Sequence, residues 1–274
     1  MGAGFRARAR FVLLGEGVVW FLMELGKKLI AGNWKMYKTV TEAIAFVDGL
    51  LPKIASFKNP LFLAVPYTAL WPLHEKCADS RLQIGAQNMC DASEGAYTGE
   101  IAGRMLKEAG ASFVLLGHSE RRKIFGETDA LIRKKLERAL KDQLLPIVCV
   151  GETLQEKEAD KSEEVLQSQL NALFEGLEWT GGEVIVAYEP VWAIGTGKTA
   201  TVEVIEAMHV FIEKTTQQLL SVKPRVLYGG SVKPENADSI LKLSNVGGLL
   251  IGGASLDLES FVAIAENGES FGSL

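Results

Sequence analysis

Three ionisable side chains of different kinds stand where short apolar runs give way to loops marked by glycine or proline. Lys35 lies in Gly32-Asn33-Trp34-Lys35-Met36, His118 in Gly117-His118-Ser119-Glu120-Arg121-Arg122, and Glu189 in Ala187-Tyr188-Glu189-Pro190. Taken singly each has an ordinary reading: a surface lysine, a structural histidine, a salt-bridge partner. Together they are a cation, an imidazole and a carboxylate, the set that takes a proton from a carbon beside a carbonyl by supplying countercharge, electrophile and base. The other two histidines, His74 and His209, fall in helical segments and read as incidental.

Glycines supply the complement. Gly229-Gly230-Ser231 and Gly252-Gly253 each follow an apolar run, and backbone N–H groups can approach an oxyanion closely where no side chain intervenes. Residues 190–198 read as a lid, with Pro190 at one end, Gly195-Thr196-Gly197-Lys198 at the other and Val191, Trp192, Ala193 and Ile194 between. Closing such an apolar segment would expel water around Glu189 and make it a stronger base, with Leu250 pressing from the opposite side.

These residues need a scaffold that brings distant strand ends together. Eight apolar runs offer one: Leu29–Ala31, Leu61–Val65, Leu82–Ala86, Phe113–Leu116, Pro146–Val150, Val184–Ala187, Val226–Tyr228 and Gly248–Ile251. Runs with so little polar relief are typical of parallel strands buried on both faces. The segments between carry apolar residues at spacings of three and four, as in 129–141, 162–177 and 202–220, and predict helices. Eight strand–helix units favour closure into a (β/α)8 barrel over an open doubly wound sheet, and no GxGxxG follows the first strand. In a barrel the strand ends share one rim, with phosphate held by the loops after strands 7 and 8.

The net charge of -5 argues against a general nucleic-acid surface and requires that any anionic substrate be drawn in by a local positive site. Cys77, Cys90 and Cys149, without CxxC or metal-ligand spacing, read as reduced packing thiols in a cytoplasmic protein. Residues 1–22 are expected to be an extension, disordered or preceding the true start at Met23, with 23–274 as the barrel domain. Arg6, Arg8 and Arg10 precede an apolar stretch, but Glu16 and Glu24 interrupt it and it is too short to span a membrane.

The segments GNWKM, GHSERR, AYEPVWAIGTGK, YGGS and IGGASL, in this order over residues 28–265, resemble the motifs of the triosephosphate isomerase family. That resemblance implies a single-domain TIM barrel, a homodimer, and interconversion of glyceraldehyde 3-phosphate and dihydroxyacetone phosphate without cofactor or metal. It implies catalysis by Glu189, His118 (as a neutral imidazole) and Lys35. It also implies substrate binding by Asn33, Lys35, Gly195, Ser231, Gly252 and Gly253, and support from Ser119, Ile194, Leu250 and a buried Glu120 that orients Lys35. The loop 87–100 would enter a second subunit and bring Thr98 towards its Asn33 and Lys35. Tyr37 departs from the family's NWKMN pattern, at a position expected to lie outside the chemistry. The alternatives are another sugar-phosphate-binding barrel enzyme and a non-catalytic barrel scaffold.

Overall fold

The computed structural model describes residues 12–13, 19–20, 27–195 and 199–271. Eight parallel strands close on themselves: β1 (Leu29–Asn33), β2 (Leu61–Val65), β3 (Leu82–Ala86), β4 (Phe113–Leu116), β5 (Leu145–Val150), β6 (Ile185–Tyr188), β7 (Arg225–Tyr228) and β8 (Gly248–Ile251). The last strand pairs with the first, Gly248 opposite Leu29 and Ile251 opposite Gly32. Closure there requires glycine: a Cβ on Gly248, at φ +155, would stand 2.0 Å from the Leu29 carbonyl oxygen.

Strand alternation sorts the core into two layers. Leu29, Ala31, Phe62, Phe113, Ile147, Cys149, Ala187 and Leu227 fill the barrel interior, where Phe62 stacks on Phe113 at 4.6 Å. Ile30, Leu63, Val148, Tyr188 and Tyr228 point outward to the helices. Burial on both faces explains why the strands read as unbroken apolar runs. β2, β3, β4 and β8 keep their expected bounds, whereas β1, β5, β6 and β7 shift by one or two residues because pairing decides their ends: Tyr188 joins β6 by pairing with Val150 and Tyr228.

The helices are α1 (Val40–Ile54), α2 (Leu70–Cys77), α3 (Gly103–Glu108), α4 (Ser119–Phe125), α5 (Asp129–Lys141), α6 (Leu154–Glu158), α7 (Ser162–Phe174), α8 (Val202–Leu220), α9 (Pro234–Leu241) and α10 (Leu258–Glu269). Capping boxes at Thr39/Glu42 and Thr153/Glu156 start α1 and α6 by satisfying free N–H groups. The expected helices 129–141 and 202–220 match, whereas 162–177 stops at Phe174. The cationic face of α5 holds one exception: Lys135 is buried, donating to Glu127 and Asn88.

Within the expected extension, Val12–Leu13 pairs antiparallel with Val19–Trp20, and the rest of 1–22 lies outside the described residues. Among the described residues, no helix is long and apolar enough to cross a membrane. Nor is any group of three or more His, Cys, Asp or Glu placed to hold a metal ion.

Candidate active site

The C-terminal strand ends enclose a cavity of about 620 Å³ lined by Asn33, Lys35, His118, Glu189, Ile194, Gly195, Gly229 to Ser231, Leu250, Gly252 and Gly253. Residues from β1, β4, β6, β7 and β8 thus meet as their positions at strand ends predicted.

Lys35 has a positive φ of 52°, uncommon for a side-chain-bearing residue. Its N–H donates to Asn33 Oδ1 (3.0 Å), and Gln87 Nε2 donates to its carbonyl (2.8 Å), so two neighbours hold the strained backbone. Lys35 Nζ lies 2.6 Å from Glu120 Oε1. The orienting contact is therefore present, but in the single chain the expected burial is not: the Glu120 side chain is 40% exposed, at the rim of a cavity it shares with Gly99, Glu100 and Arg121.

His118 caps α4. Its Nδ1 accepts the Glu120 backbone N–H at 3.2 Å, closer than Glu120 Oε2 at 3.7 Å. An Nδ1 that accepts cannot carry the proton, which places it on Nε2, 3.1 Å from Glu189 Oε1. Glu189 is only 2% exposed, and its second oxygen accepts the Ser119 N–H at 2.8 Å. The carboxylate thus rests between two donors at the cavity wall.

Behind Glu189 lies a group that the sequence reading missed. Glu152, 1% exposed, accepts Trp192 Nε1–H (2.8 Å) and Tyr188 O–H (3.1 Å) on one oxygen. Burial raises its carboxyl pKa, against the lowering effect of those donors. Trp192, read from sequence as part of the apolar lid segment, is only 8% exposed, held by this bond. Gly151 lies against the Glu189 backbone, where a Cβ would meet the carbonyl oxygen at 1.8 Å. The Gly-Glu pair after strand 5 repeats the glycine-rich pattern of the other strand ends and was the available signal. Beneath Glu189, burial and the carboxylate's charge push the Cys149 thiol well above its usual pKa.

The 3₁₀ turn Gly253–Leu256 follows β8. Its carbonyls are held from behind, Ser255 O by Trp34 Nε1 (3.1 Å) and Leu256 O by Lys38 Nζ (2.9 Å). Leu250, 3% exposed, reaches the cavity from the barrel interior. Tyr37 stands on the same cavity wall, 58% exposed. Gly195 bends the chain at φ 67°, and Thr196 to Lys198 of the expected lid lie outside the described residues.

Comparison with known proteins agrees with this arrangement. Residues 28–268 match the family described as triosephosphate isomerase. The triosephosphate isomerase of Protochlamydia amoebophila is 49% identical over 247 residues, 88% of this chain and 94% of that one. The enzyme of the same name from Moorella thermoacetica is 46% identical over 243 residues, 87% and 97% of the two chains. The crystal structure of triosephosphate isomerase from Bartonella henselae superposes with a TM-score of 0.80 at 37% identity, covering 88% of this chain and 98% of that one. On the fold, the strand-end motifs and these matches, the chain belongs to the triosephosphate isomerase family.

Proposed function

We propose that the chain interconverts glyceraldehyde 3-phosphate and dihydroxyacetone phosphate by proton transfer through an enediolate. The observation that carries this reading is the contact of Glu189 Oε1 with His118 Nε2, 3.1 Å, inside a cavity that also holds Lys35 and the Gly229–Ser231 and Gly252–Gly253 loops. Glu189 takes a proton from the carbon beside the carbonyl and returns it to the neighbouring carbon. His118 donates from Nε2 to the carbonyl oxygen as negative charge develops there, and Lys35 supplies the countercharge. Amides of Gly195, Ser231, Gly252 and Gly253 take the phosphate. This answers the charge constraint, since local N–H groups and one lysine attract an anion that the molecule as a whole repels.

The working form is a homodimer in this reading. Residues 93–100, Thr98 among them, stand exposed in the single chain, as do Met36 (94%), Tyr97 (54%), Ile124 (68%) and Phe125 (65%). So much exposed apolar surface marks an interface. Sedimentation of the full chain at twice the monomer mass supports it, and a monomer with full activity refutes it. Residues 1–22 stand apart from the barrel domain in this reading, and intact mass of the native protein tests whether they are retained.

The catalytic reading is tested by a coupled assay of dihydroxyacetone phosphate formation on the full chain and on Glu189→Gln. Rapid turnover by the parent and loss of most of it in the variant, with substrate still bound, support Glu189 as the base. A folded parent that leaves glyceraldehyde 3-phosphate unchanged overturns the proposal.

A further inference from the structure

His209, read from sequence as incidental, is fully buried on α8. Its Nδ1 lies 3.3 Å from the Asn245 carbonyl, and the Asn245 side-chain amide donates to the Glu206 carbonyl of the same helix at 2.8 Å. The carbonyl places the imidazole proton on Nδ1 and leaves Nε2 as a lone pair without a partner. Burial, with a smaller contribution from the charge of Lys28, pushes this histidine down to about 4, so the ring is neutral.

The ring meets Tyr188 edge-on, centroids 6.0 Å apart at 86°, and Tyr228 at 6.5 Å and 39°. These tyrosines are the outward-facing residues directly before Glu189 on β6 and Gly229 on β7. Their strand ends are tightly bound to each other and to β5: Gly229 N–H donates to the Tyr188 carbonyl (2.7 Å) and Glu189 N–H to the Val150 carbonyl (2.8 Å). A Cβ on Gly229 would already stand 2.9 Å from Glu189 Cγ, so there is little slack around the carboxylate. Tyr188 O–H also reaches Glu152, which holds Trp192. One imidazole therefore backs both strands that form the floor beneath the carboxylate. An aliphatic residue could fill the space, but it could neither fix its own rotation on a carbonyl nor present a ring edge to a tyrosine face.

We propose that His209 is a positioning residue for the catalytic carboxylate: its ring, anchored on the Asn245 carbonyl, wedges behind Tyr188 and Tyr228 and sets where β6 and β7 present Glu189 and Gly229. The inference rests on Glu189 being the base. The test compares the full-length parent with His209→Phe, which keeps a ring and loses the anchor, and His209→Ala, which loses both. Isomerisation is measured in the cold, well below each variant's Tm, together with the affinity for inorganic phosphate. The expected result is a graded fall in kcat, about threefold for Phe and on the order of thirtyfold for Ala, with KM within about twofold. Phosphate affinity falls by no more than about twofold, since of the amides that take the anion only that of Ser231 follows β7, while those of Gly195, Gly252 and Gly253 lie on other loops. If both variants lower Tm but keep the parent's kcat, His209 only fills space and the proposal falls. It falls equally if KM rises while kcat holds. Where the Ala variant does not fold, the Phe variant decides. A parent that folds but does not turn over overturns the catalytic reading and this inference together, whereas an active parent with unaffected variants overturns this inference alone.

Discussion

Gly151→Ala tests how closely the β5 end constrains Glu189, the proposed base. An ideal Cβ on Gly151 would lie 1.8 Å from the Glu189 carbonyl oxygen and 2.6 Å from its carbonyl carbon. The tightest separation that Cβ atoms show, 3.0 Å, is 1.2 Å further away, so the two backbones must part by at least that much. Gly151 cannot easily retreat, because Gln169 clamps it from both sides, accepting its N–H at 2.9 Å and donating to its carbonyl at 3.1 Å. The movement therefore falls on Glu189. A misplacement of about 1 Å costs on the order of 100-fold in rate, or about 2.7 kcal/mol of barrier. Forcing a methyl into a filled core costs about 1–3 kcal/mol of stability, and each kcal/mol lowers Tm by about 2–4 °C in a chain of this size. The assay is kcat for isomerisation below the Tm of each protein, with Gly176→Ala as control. Gly176 has a positive φ, 65°, which makes alanine unfavourable there, but nothing lies within 4 Å of its Cβ, so the control loses some stability and no rate. A folded Gly151→Ala protein with kcat within about threefold of the parent would refute the reasoning, because the 100-fold expectation follows directly from the displacement.

Three further outcomes are expected. Lys38→Met removes the grip on the Leu256 carbonyl and loosens the turn proposed to hold phosphate, so KM should rise about three- to tenfold with kcat nearly unchanged, read from initial rates. His209 gives stability a pH dependence: the unfolded chain binds its proton near 6.5 and the folded chain only near about 4. Stability is then complete above 6.5 and is lost as pH falls through that window, by about 3 kcal/mol in all; urea unfolding at several pH values should show this slope weakened in His209→Phe. Gly248→Ala drives a Cβ into the Leu29 backbone at 2.0 Å and should leave no cooperative thermal transition by circular dichroism.

The strands were legible because burial on both faces writes itself into composition, and the meeting of Lys35, His118 and Glu189 in one cavity because loops after strands carry unusual residues. What stayed hidden depends on pairing between distant segments. The role of Glu152 requires β5 to sit beside β6 with Val150 opposite Tyr188, a register no local pattern records. Lys135 falls on the polar face of α5 by periodicity, and only Glu127, arriving from the preceding loop, makes its burial tolerable. A buried Glu120 was what the family resemblance implied, and in the single chain it holds Lys35 from a rim that leaves its side chain 40% exposed. His209 looked incidental because the tyrosines flanking its helix lie on two strands distant in sequence.

Pairing of the final strand with the first has a consequence for how the protein is made. About 220 residues separate Leu29 from Gly248, and a ribosome needs roughly 10–45 s to add them. Throughout that interval the growing sheet has two open edges, each a row of unsatisfied N–H and C=O groups able to recruit another strand. Only when the last strand emerges can the sheet seal, and the same event brings Gly252 and Gly253 beside Lys35. Edge protection and a complete active site therefore arrive together, late, so turnover by this chain reports a finished ring.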